Sequence, residues 1–369
     1  MNPAPSYWAE SAPWRAFADR ASDRDVTAAL AHSESGPKEL AALLSPAAGR
    51  RLEDLARKAL ALTRRHFGRT LSLYVPLYLS NHCSGGCAYC GFAADRQQPR
   101  MRLDSARMEA EMEALRAMGF DDILLLTGEN APEADFAYLR DSVALAARRC
   151  HRVAIETFAM TREQYADIFA AGCAGVTLYQ ETYDPDTYRH MHRWGAKTDF
   201  AGRLDAPARA LAAEARSFGL GALLGLADPV GEMLSLFLHL TALRKMFWKA
   251  EYSVSFPRLR RQAGEFRAPH PVDDRRLAQL IFAMRICLPT VPLVLSTRES
   301  AAFRDGIAGI GITRMSVASR TTVGGYRRCE PDTDGQFSVC DTRDPVAFCD
   351  ALRRQGLQPV FKNWDAALR

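Results

Sequence analysis

The feature that most constrains the fold is a regular alternation of strand-like and helix-like segments after residue 70. Short apolar runs of strand length recur between longer segments in which the apolar residues follow a helical period. Parallel strands need a crossover connection of this length, and such crossovers are right-handed. Seven or eight units of this kind predict an α/β fold, a TIM-like (β/α) barrel, with its active site on the loops that follow the strands.

The bounds of the predicted elements come from these periods and from residues that begin or end helices. Strands are predicted over residues 71–78, 123–126, 153–156, 175–179, 221–226, 252–256 and 293–296. Helices are predicted over residues 105–118, 133–149, 162–171, 205–218, 234–248 and 273–287, and a weaker strand–helix pair over 312–316 and 346–355. We expect a helical N-terminal extension over 1–70, the barrel over 71–320, and a C-terminal segment over 321–369 that closes the barrel.

The N-terminal extension shows helical patterns alone. Helices are expected over 24–32 and 37–44, and Ser45-Pro46 marks the start of another, because serine caps helices and proline suits the first turn. The helix after it is expected to end at Gly68, which follows a run of cations. This extension is expected to cover one side of the core.

The composition limits the class of protein. The chain has 369 residues, of which 48% are hydrophobic and 25% charged, as in a globular protein with a sizeable core. A net charge of +5 suits an anionic ligand but does not indicate nucleic acid. The N-terminus lacks the pattern of a signal peptide and no apolar run reaches 18 residues, so a cytoplasmic protein is expected.

Three cysteines, Cys83, Cys87 and Cys90, lie within eight residues of the loop after the first predicted strand, in the spacing C-x3-C-x2-C. Thiolates are soft ligands that suit iron–sulfur clusters, and three of them leave one iron of a four-iron cube open to a substrate or cofactor. A zinc knuckle and incidental cysteines are the alternatives, but His82 is adjacent to Cys83 and badly placed to complete a tetrahedron. The other six of the nine cysteines are scattered, which argues against a disulfide framework.

Polar residues follow almost every predicted strand, at the end where a barrel carries its site. The stretches are 127–129, 156, 180–183, 257–258, 296–299 and 319. Polar residues after strands are common, but six such ends, most of them charged, favour a shared site beside the cysteine loop.

The cysteine spacing, with an aromatic residue before the last cysteine, resembles that of the radical S-adenosylmethionine (SAM) enzymes. Within that superfamily, further stretches resemble the tyrosine lyases of thiamin (thiazole) biosynthesis, over roughly residues 40–369. These stretches are 44–48, 74–81, 90–92, 179–183, 221–226, 252–260, 295–299, 324–326 and 358–365. The resemblance implies a radical SAM (β/α) barrel that binds one [4Fe-4S] cluster and SAM.

The resemblance also implies which residues hold the two cofactors. The three cysteines would ligate the cluster, and SAM would bind the open iron through its amine and carboxylate. Thr127, Gly128 and Glu129 stand where the family has a Gly-Gly-Glu motif beside the SAM ammonium. Tyr89 is expected to pack by the adenine or to shield the cluster.

Three more charged residues complete the implied SAM site. Glu156 and Glu181 could each accept from the ribose hydroxyls or the ammonium, and Glu181 is the stronger ribose candidate. Arg203 is expected to pair with the SAM carboxylate, because a guanidinium binds carboxylates in a bidentate manner.

For the substrate, Arg298 resembles the arginine that binds the amino-acid carboxylate in aromatic amino-acid lyases of this group. Ser319 and Tyr78 match positions near the substrate's carboxylate and amine. The implied reaction starts with a 5′-deoxyadenosyl radical that takes hydrogen from the amine of L-tyrosine, and Cα–Cβ cleavage then gives 2-iminoacetate and 4-methylphenol. The implied partners are the thiazole synthase subunit and an electron donor such as flavodoxin or ferredoxin.

Two stretches depart from the family pattern, 157–160 after Glu156 and 227–231 after the predicted strand 221–226. They leave open the preference among aromatic amino acids. The alternatives are a related lyase that acts on tryptophan, a lyase that acts on tyrosine for metal-cluster assembly, and a non-enzymatic iron–sulfur or zinc protein. The metal-cluster type carries a further C-x2-C motif, which this sequence lacks.

Overall fold

The computed structural model describes residues 6–32, 35–262, 264–327 and 335–361. The strands are β1 Thr70–Tyr78, β2 Asp122–Leu126, β3 Arg152–Glu156, β4 Gly175–Thr177, β5 Ser217–Gly221, β6 Glu251–Ser255, β7 Leu293–Leu295, β8 Arg314–Ser316 and β9 Gln358–Val360. The helices are α1 Tyr7–Arg20, α2 Asp23–Ala31, α3 Pro37–Leu44, α4 Pro46–Arg50, α5 Leu52–Phe67, α6 Ser105–Ala117, α7 Phe136–Ala147, α8 Arg162–Ala170, α9 Pro185–Met191, α10 Phe200–Ala212, α11 Pro229–Met246, α12 Asp274–Cys287, α13 Ala301–Ile307 and α14 Pro345–Arg354.

The first eight strands are parallel and close into a barrel. They lie in chain order around the barrel, and β1 pairs with both β8 and β2 to close it. Strand β9 adds to the first residues of β1, where Thr70 lies opposite Gln358, ahead of the part of β1 that pairs with β2. The predicted (β/α) barrel is therefore confirmed, with eight units around it.

The strand predicted over 221–226 is wrong, and the helix predicted over 205–218 exists with different bounds, as α10 over Phe200–Ala212. The helix expected over 205–218 ends at Ala212, and the barrel strand is 217–221, about four residues before the strand expected over 221–226. A left-handed turn at Glu214, with φ of 69°, ends the helix early. The predicted strand 221–226 instead leaves the barrel, and its backbone forms only single bridges with its neighbours.

The N-terminal helices cover one side of the barrel. Helix α3 lies at its predicted bounds, and Ser45 caps α4 by accepting from the Ala48 amide. Gly68 ends α5 with a φ of 63°, a conformation that favours glycine. Helix α1, which was not predicted, packs on α11, and α5 packs on α12.

The division at residues 70 and 320 stays a prediction. Residues 328–334 and 362–369 of the predicted C-terminal segment lie outside the described residues, as does the last part of the family-like stretch 358–365. Within the described ranges, no helix is both long enough and apolar enough to cross a bilayer.

Candidate active site

Two adjoining cavities open where the barrel strands end. The outer cavity has about 910 Å³ of space free of atoms, counting the part open to solvent, and the inner cavity has about 540 Å³. Glu156, Tyr179 and Arg298 line both cavities, so one continuous space reaches from the cysteine loop into the barrel.

Every site residue predicted from the sequence lines one of these cavities. The outer cavity is lined by Cys83, Cys87, Tyr89, Cys90, Thr127, Gly128, Glu129, Glu156, Glu181, Arg203 and Arg298. The inner cavity is lined by Tyr78, Ser319 and, again, Glu156 and Arg298. The predicted residues therefore lie together, as expected where a barrel carries its site on the loops after the strands. Their individual roles stay predictions.

The cysteine loop has the donors that a thiolate cluster needs. The amide of Gly85 donates to Cys83 Sγ at 3.4 Å, and the amide of Phe92 donates to Cys90 Sγ at 3.4 Å. Burial raises the pKa of the Cys83 thiol, an effect that coordinated cations reverse. Gly128 lets the loop lie close, because a Cβ there would be 2.4 Å from the carbonyl oxygen of His82.

Within the part of the chain that the structure describes, no three His, Cys, Asp or Glu side chains converge on a point for a single metal ion. The three cysteines share the wall of the outer cavity, and backbone amides donate to the sulfurs of Cys83 and Cys90. Sulfur donors with N–H groups around them fit an iron–sulfur cluster.

A backbone strap over 191–194 holds the outside of the cysteine loop, and the sequence did not predict it. The amide of Gly86 donates to the carbonyl of Trp194 at 3.1 Å, and the amide of Ala88 donates to that of Met191 at 2.9 Å. Glycine is required at 86, because a Cβ would lie 2.3 Å from the Trp194 ring. The strap therefore fixes the loop between its first and last cysteines.

His192 in this strap contacts Tyr89, the aromatic residue of the cysteine motif. The ring nitrogens of His192 lie 2.8 Å from the Tyr89 hydroxyl and 2.8 Å from the carbonyl oxygen of Tyr188. Burial lowers the pKa of His192 to about 3, so the ring is neutral. A neutral ring donates to the carbonyl through Nδ1 and accepts from the tyrosine through Nε2, which fixes the Tyr89 side chain.

Two acids and two cations form a buried group on the wall of the outer cavity. Arg203 in α10 lies 3.3 Å from Glu129 and 3.6 Å from Glu181, and Lys197 Nζ lies 2.6 Å from Glu181 Oε1. Burial would raise the pKa of Glu181, but the Lys197 and Arg203 cations hold it below its usual value. Both acids are thus available as hydrogen-bond acceptors.

The conformation of Glu181 is unusual for a residue with a side chain. Its φ is 70°, in the left-handed region that favours glycine. Such strain is kept only where the surroundings fix it. Here the backbone of residue 181 pairs with residue 222, so the carboxylate is turned toward Lys197.

The inner cavity is lined by Arg298 and by three other predicted residues, Tyr78, Glu156 and Ser319. The Arg298 guanidinium stacks 3.3 Å from the centre of the Phe337 ring, and no carboxylate of the described residues lies within ion-pair distance of it. Burial raises the pKa of Glu156 to about 7, against the effect of the Arg298 cation. Ser319 Oγ donates to Ser316 Oγ at 3.1 Å. Arg298 is therefore a cation that faces a cavity.

Four residues of the site were not predicted as such. They are Lys197, Arg260, Gln336 and Phe337, all of which line the outer cavity. Arg260 bonds to the buried Glu299, while its Nε is buried without a partner. Gln336 and Phe337 come from the C-terminal segment, and no local pattern marked them. In the sequence, the one indication for Arg260 is that it ends the family-like stretch 252–260.

The two divergent stretches have different positions. Thr157 lines the outer cavity, while Phe158 and Met160 are buried in the core. In the second stretch Asp228 caps α11 by accepting from the amides of Val230 and Gly231. The first stretch therefore touches the site through Thr157, and the second acts through the start of a helix.

Comparison with known proteins agrees with this geometry. The Radical SAM superfamily matches residues 77–226, and the Biotin and Thiamin Synthesis associated domain matches residues 255–358. The 2-iminoacetate synthase of Escherichia coli (strain K12) is 42% identical over 345 residues, which are 93% of this chain and 91% of the relative. That of Salmonella typhimurium is 41% identical over the same shares of the two chains.

A solved structure is similar over nearly the whole chain. It is HydG, a maturase of the [FeFe]-hydrogenase, with a TM-score of 0.92 and 29% sequence identity. The similarity covers 98% of this chain and 81% of that chain. This chain thus shares its fold with HydG over nearly its whole length.

Proposed function

Since the chain belongs to the 2-iminoacetate synthase family of radical SAM enzymes, we propose that its site residues serve a tyrosine lyase reaction as follows. The enzyme is a carbon–carbon lyase that cleaves the Cα–Cβ bond of L-tyrosine to 2-iminoacetate and 4-methylphenol (p-cresol), for thiamin thiazole biosynthesis. It uses a [4Fe-4S] cluster and SAM, from which 5′-deoxyadenosine and methionine arise. Tryptophan is not the favoured substrate.

Cys83, Cys87 and Cys90 would hold the [4Fe-4S] cluster, and three thiolates would leave one position open for SAM. When bound, the cluster and SAM supply the radical that takes hydrogen from the substrate. The inner cavity is lined by residues at the strand ends and by Phe337, and a substrate that fills it would displace water from the reacting atoms.

The buried charged group binds SAM. Glu129, with Thr127 and Gly128, accepts from the ammonium, and Glu181 accepts from the ribose hydroxyls. Arg203 attracts the SAM carboxylate and pairs with both glutamates. Glu156, at the boundary of the two cavities, is a further acceptor for SAM, and Tyr89 packs beside the adenine.

The observation that supports amino-acid binding is Arg298, a cation in the wall shared by the two cavities that has no carboxylate partner among the described residues. A half-buried guanidinium without a protein carboxylate is suited to a ligand carboxylate. Anchoring the tyrosine carboxylate there places its amine between the SAM site and the Tyr78 and Ser319 side of the inner cavity.

Replacement of this cation tests the proposal. In Arg298→Ala we expect an intact cluster and cleavage of SAM, but loss of 2-iminoacetate and p-cresol, because the tyrosine is no longer anchored. Mass spectrometry of products after anaerobic reconstitution measures both reactions. Arg261→Ala removes an exposed arginine that lines neither cavity and serves as the control. An unchanged yield of 2-iminoacetate in Arg298→Ala would sink the assignment.

Partners and compartment follow from the same family. We propose the thiazole synthase subunit as the protein that receives 2-iminoacetate, a flavodoxin or ferredoxin as electron donor, and the cytoplasm as the location. Failure of the reconstituted chain to co-purify with that subunit would argue against the first partner.

A further inference from the structure

The segment 335–338 crosses the mouth of the barrel and touches the cysteine loop. The amide of Gly91 donates to the carbonyl of Gln336 at 3.2 Å, and the amide of Gln336 donates to the carbonyl of Thr321 at 3.1 Å. The approach is close, because a Cβ at Gly91 would lie 2.6 Å from the carbonyl oxygen of Gln336. Hydrogen bonds therefore fix the Gln336 backbone to the cysteine loop on one side and to Thr321, which follows β8, on the other.

The Gln336 side chain joins the two cavities. Its Oε1 accepts from the Tyr78 hydroxyl at 2.8 Å, and its Nε2 donates to Cys90 Sγ at 3.6 Å. The opposite orientation of the amide would set an oxygen acceptor against a thiolate, which is itself an acceptor. The sulfur of a cluster ligand thus fixes the amide as the structure has it.

We propose that Gln336 is a positioning residue that couples the substrate pocket to the iron–sulfur cluster, through the hydrogen bond that its amide gives to Cys90. This inference rests on the proposed function, since it assumes a cluster on the cysteines and an amino acid beside Tyr78. Hydrogen bonds to the sulfurs are among the factors that set the reduction potential of a cluster.

The coupling follows from the single proton of the Tyr78 hydroxyl. A tyrosine hydroxyl is protonated at neutral pH and has this one proton to donate. Without substrate this proton goes to Gln336 Oε1, which polarises the amide and strengthens the hydrogen bond to Cys90. A substrate group that accepts this hydrogen bond in place of Gln336 weakens the bond from the amide to Cys90, and the cluster would then be harder to reduce and a stronger reductant.

The test is a redox titration of the reconstituted enzyme, followed by electron paramagnetic resonance, with and without L-tyrosine. In the wild type, tyrosine shifts the midpoint potential to a more negative value. In Gln336→Leu the potential is already more negative without tyrosine, and most of the tyrosine-dependent shift is lost. Tyr78→Phe, which keeps the amide but removes its proton donor, behaves in the same way. Gln336→Glu keeps the length and backbone contacts, and it gives the same result if the leucine variant does not fold.

Gln98→Leu is the matched control. The Gln98 amide donates to the carbonyl of Gly91 at 2.7 Å, so it touches the same loop without touching a sulfur. A Gln336→Leu enzyme that loads iron and keeps the wild-type potential and shift would overturn the inference, as would an equal change in Gln98→Leu. The potential without tyrosine is read independently of turnover, so failure of the wild type to cleave tyrosine would count against the proposed function instead.

Discussion

At the residue scale, the balance of charge around the outer cavity depends on single side chains. Glu181, Lys197 and Arg203 are all buried, and each is paired. Removing one partner of a buried pair leaves the other charge uncompensated, which is far more costly than losing an exposed pair. The site is thus organised for ligand charges before the ligand binds.

Lys197→Met tests this balance. Loss of the cation leaves the Glu181 carboxylate with Arg203 at 3.6 Å as its remaining partner, so its pKa rises and it accepts less well from the ribose. We expect SAM to bind at least roughly tenfold more weakly, the equivalent of about 1.4 kcal/mol. Isothermal titration with SAM measures the change, and Lys197→Arg, which keeps a cation, is the control. Equal affinity in Lys197→Met and the wild type would contradict this role.

Most of the site residues that the sequence predicted lie at the end of a strand or belong to the cysteine motif, and Arg203 in α10 was indicated by the family resemblance. Glu129, Glu181 and Arg298 could be found because strand ends meet at one edge of a barrel. Lys197 and Gln336 could not, because they reach the cavity from a turn and from a late segment. Gln336 meets Tyr78 across 258 positions and Cys90 across 246, a contact that no local period records.

At the element scale, the start of α11 supports the turn that carries Glu181. Glu232 in its first turn is fully buried and accepts from the Thr182 hydroxyl and from the Tyr183 amide. Burial raises the pKa of Glu232 from 4.5 to about 8, against the effect of these hydrogen bonds. The carboxyl is therefore protonated at neutral pH and can both donate to and accept from the turn.

This raised pKa gives a dependence of stability on pH. A carboxyl with a folded pKa near 8 and an unfolded pKa near 4.5 binds more protons in the folded state, so its contribution is full below pH 4.5 and is lost as the pH rises through 8. Glu232→Gln, which resembles the protonated form, removes this term. We expect the melting temperature of the wild type to fall relative to the variant between pH 5 and 8, by circular dichroism. Parallel pH profiles would exclude the assignment.

The same scale shows where element prediction fails. The helix α10 ends early because Glu214 adopts the left-handed conformation that glycine usually adopts. Since no glycine stands at this position, the sequence gives no sign of the helix end. The apolar run 221–226 then looks like the better strand. In the folded chain, residues 223 and 224 instead bond to the backbones of Glu181 and Pro257, which are distant in the sequence.

At the scale of the whole molecule, the electron donor proposed above would approach the cysteine loop from outside the barrel. Trp194 is 40% exposed, and the Arg193 guanidinium lies 4.4 Å from the centre of its ring. Its ring covers Gly86, next to Cys87. Aromatic and arginine side chains are enriched at interfaces, and electron-transfer contacts are small. If the proposed donor docks beside the cysteine loop, Trp194 is the exposed side chain that we expect it to contact, and Arg193 is held there by Asp95 at 2.8 Å.

Trp194→Ala separates docking from chemistry. We expect turnover with the protein donor to fall several-fold while turnover with dithionite is kept, because a small reductant needs no docking surface. Trp248→Ala is the matched control, since Trp248 is 75% exposed near the start of β6, at the other end of the barrel. An equal loss with both reductants would show that Trp194 supports the loop alone, and no loss would remove it from the interface.

The closure of the barrel has a consequence for the newly made chain. β1 pairs with β8 between Ser72 and Arg314, so the wall beside the cysteine loop is completed roughly 240 residues after β1 is made. At about 5–20 residues per second, a ribosome needs about 12–50 s for that stretch. During this time the barrel beside the thiols of Cys83, Cys87 and Cys90 is incomplete. Until β8 has been translated, the incomplete barrel can neither hold a cluster on these thiols nor protect them from oxidants.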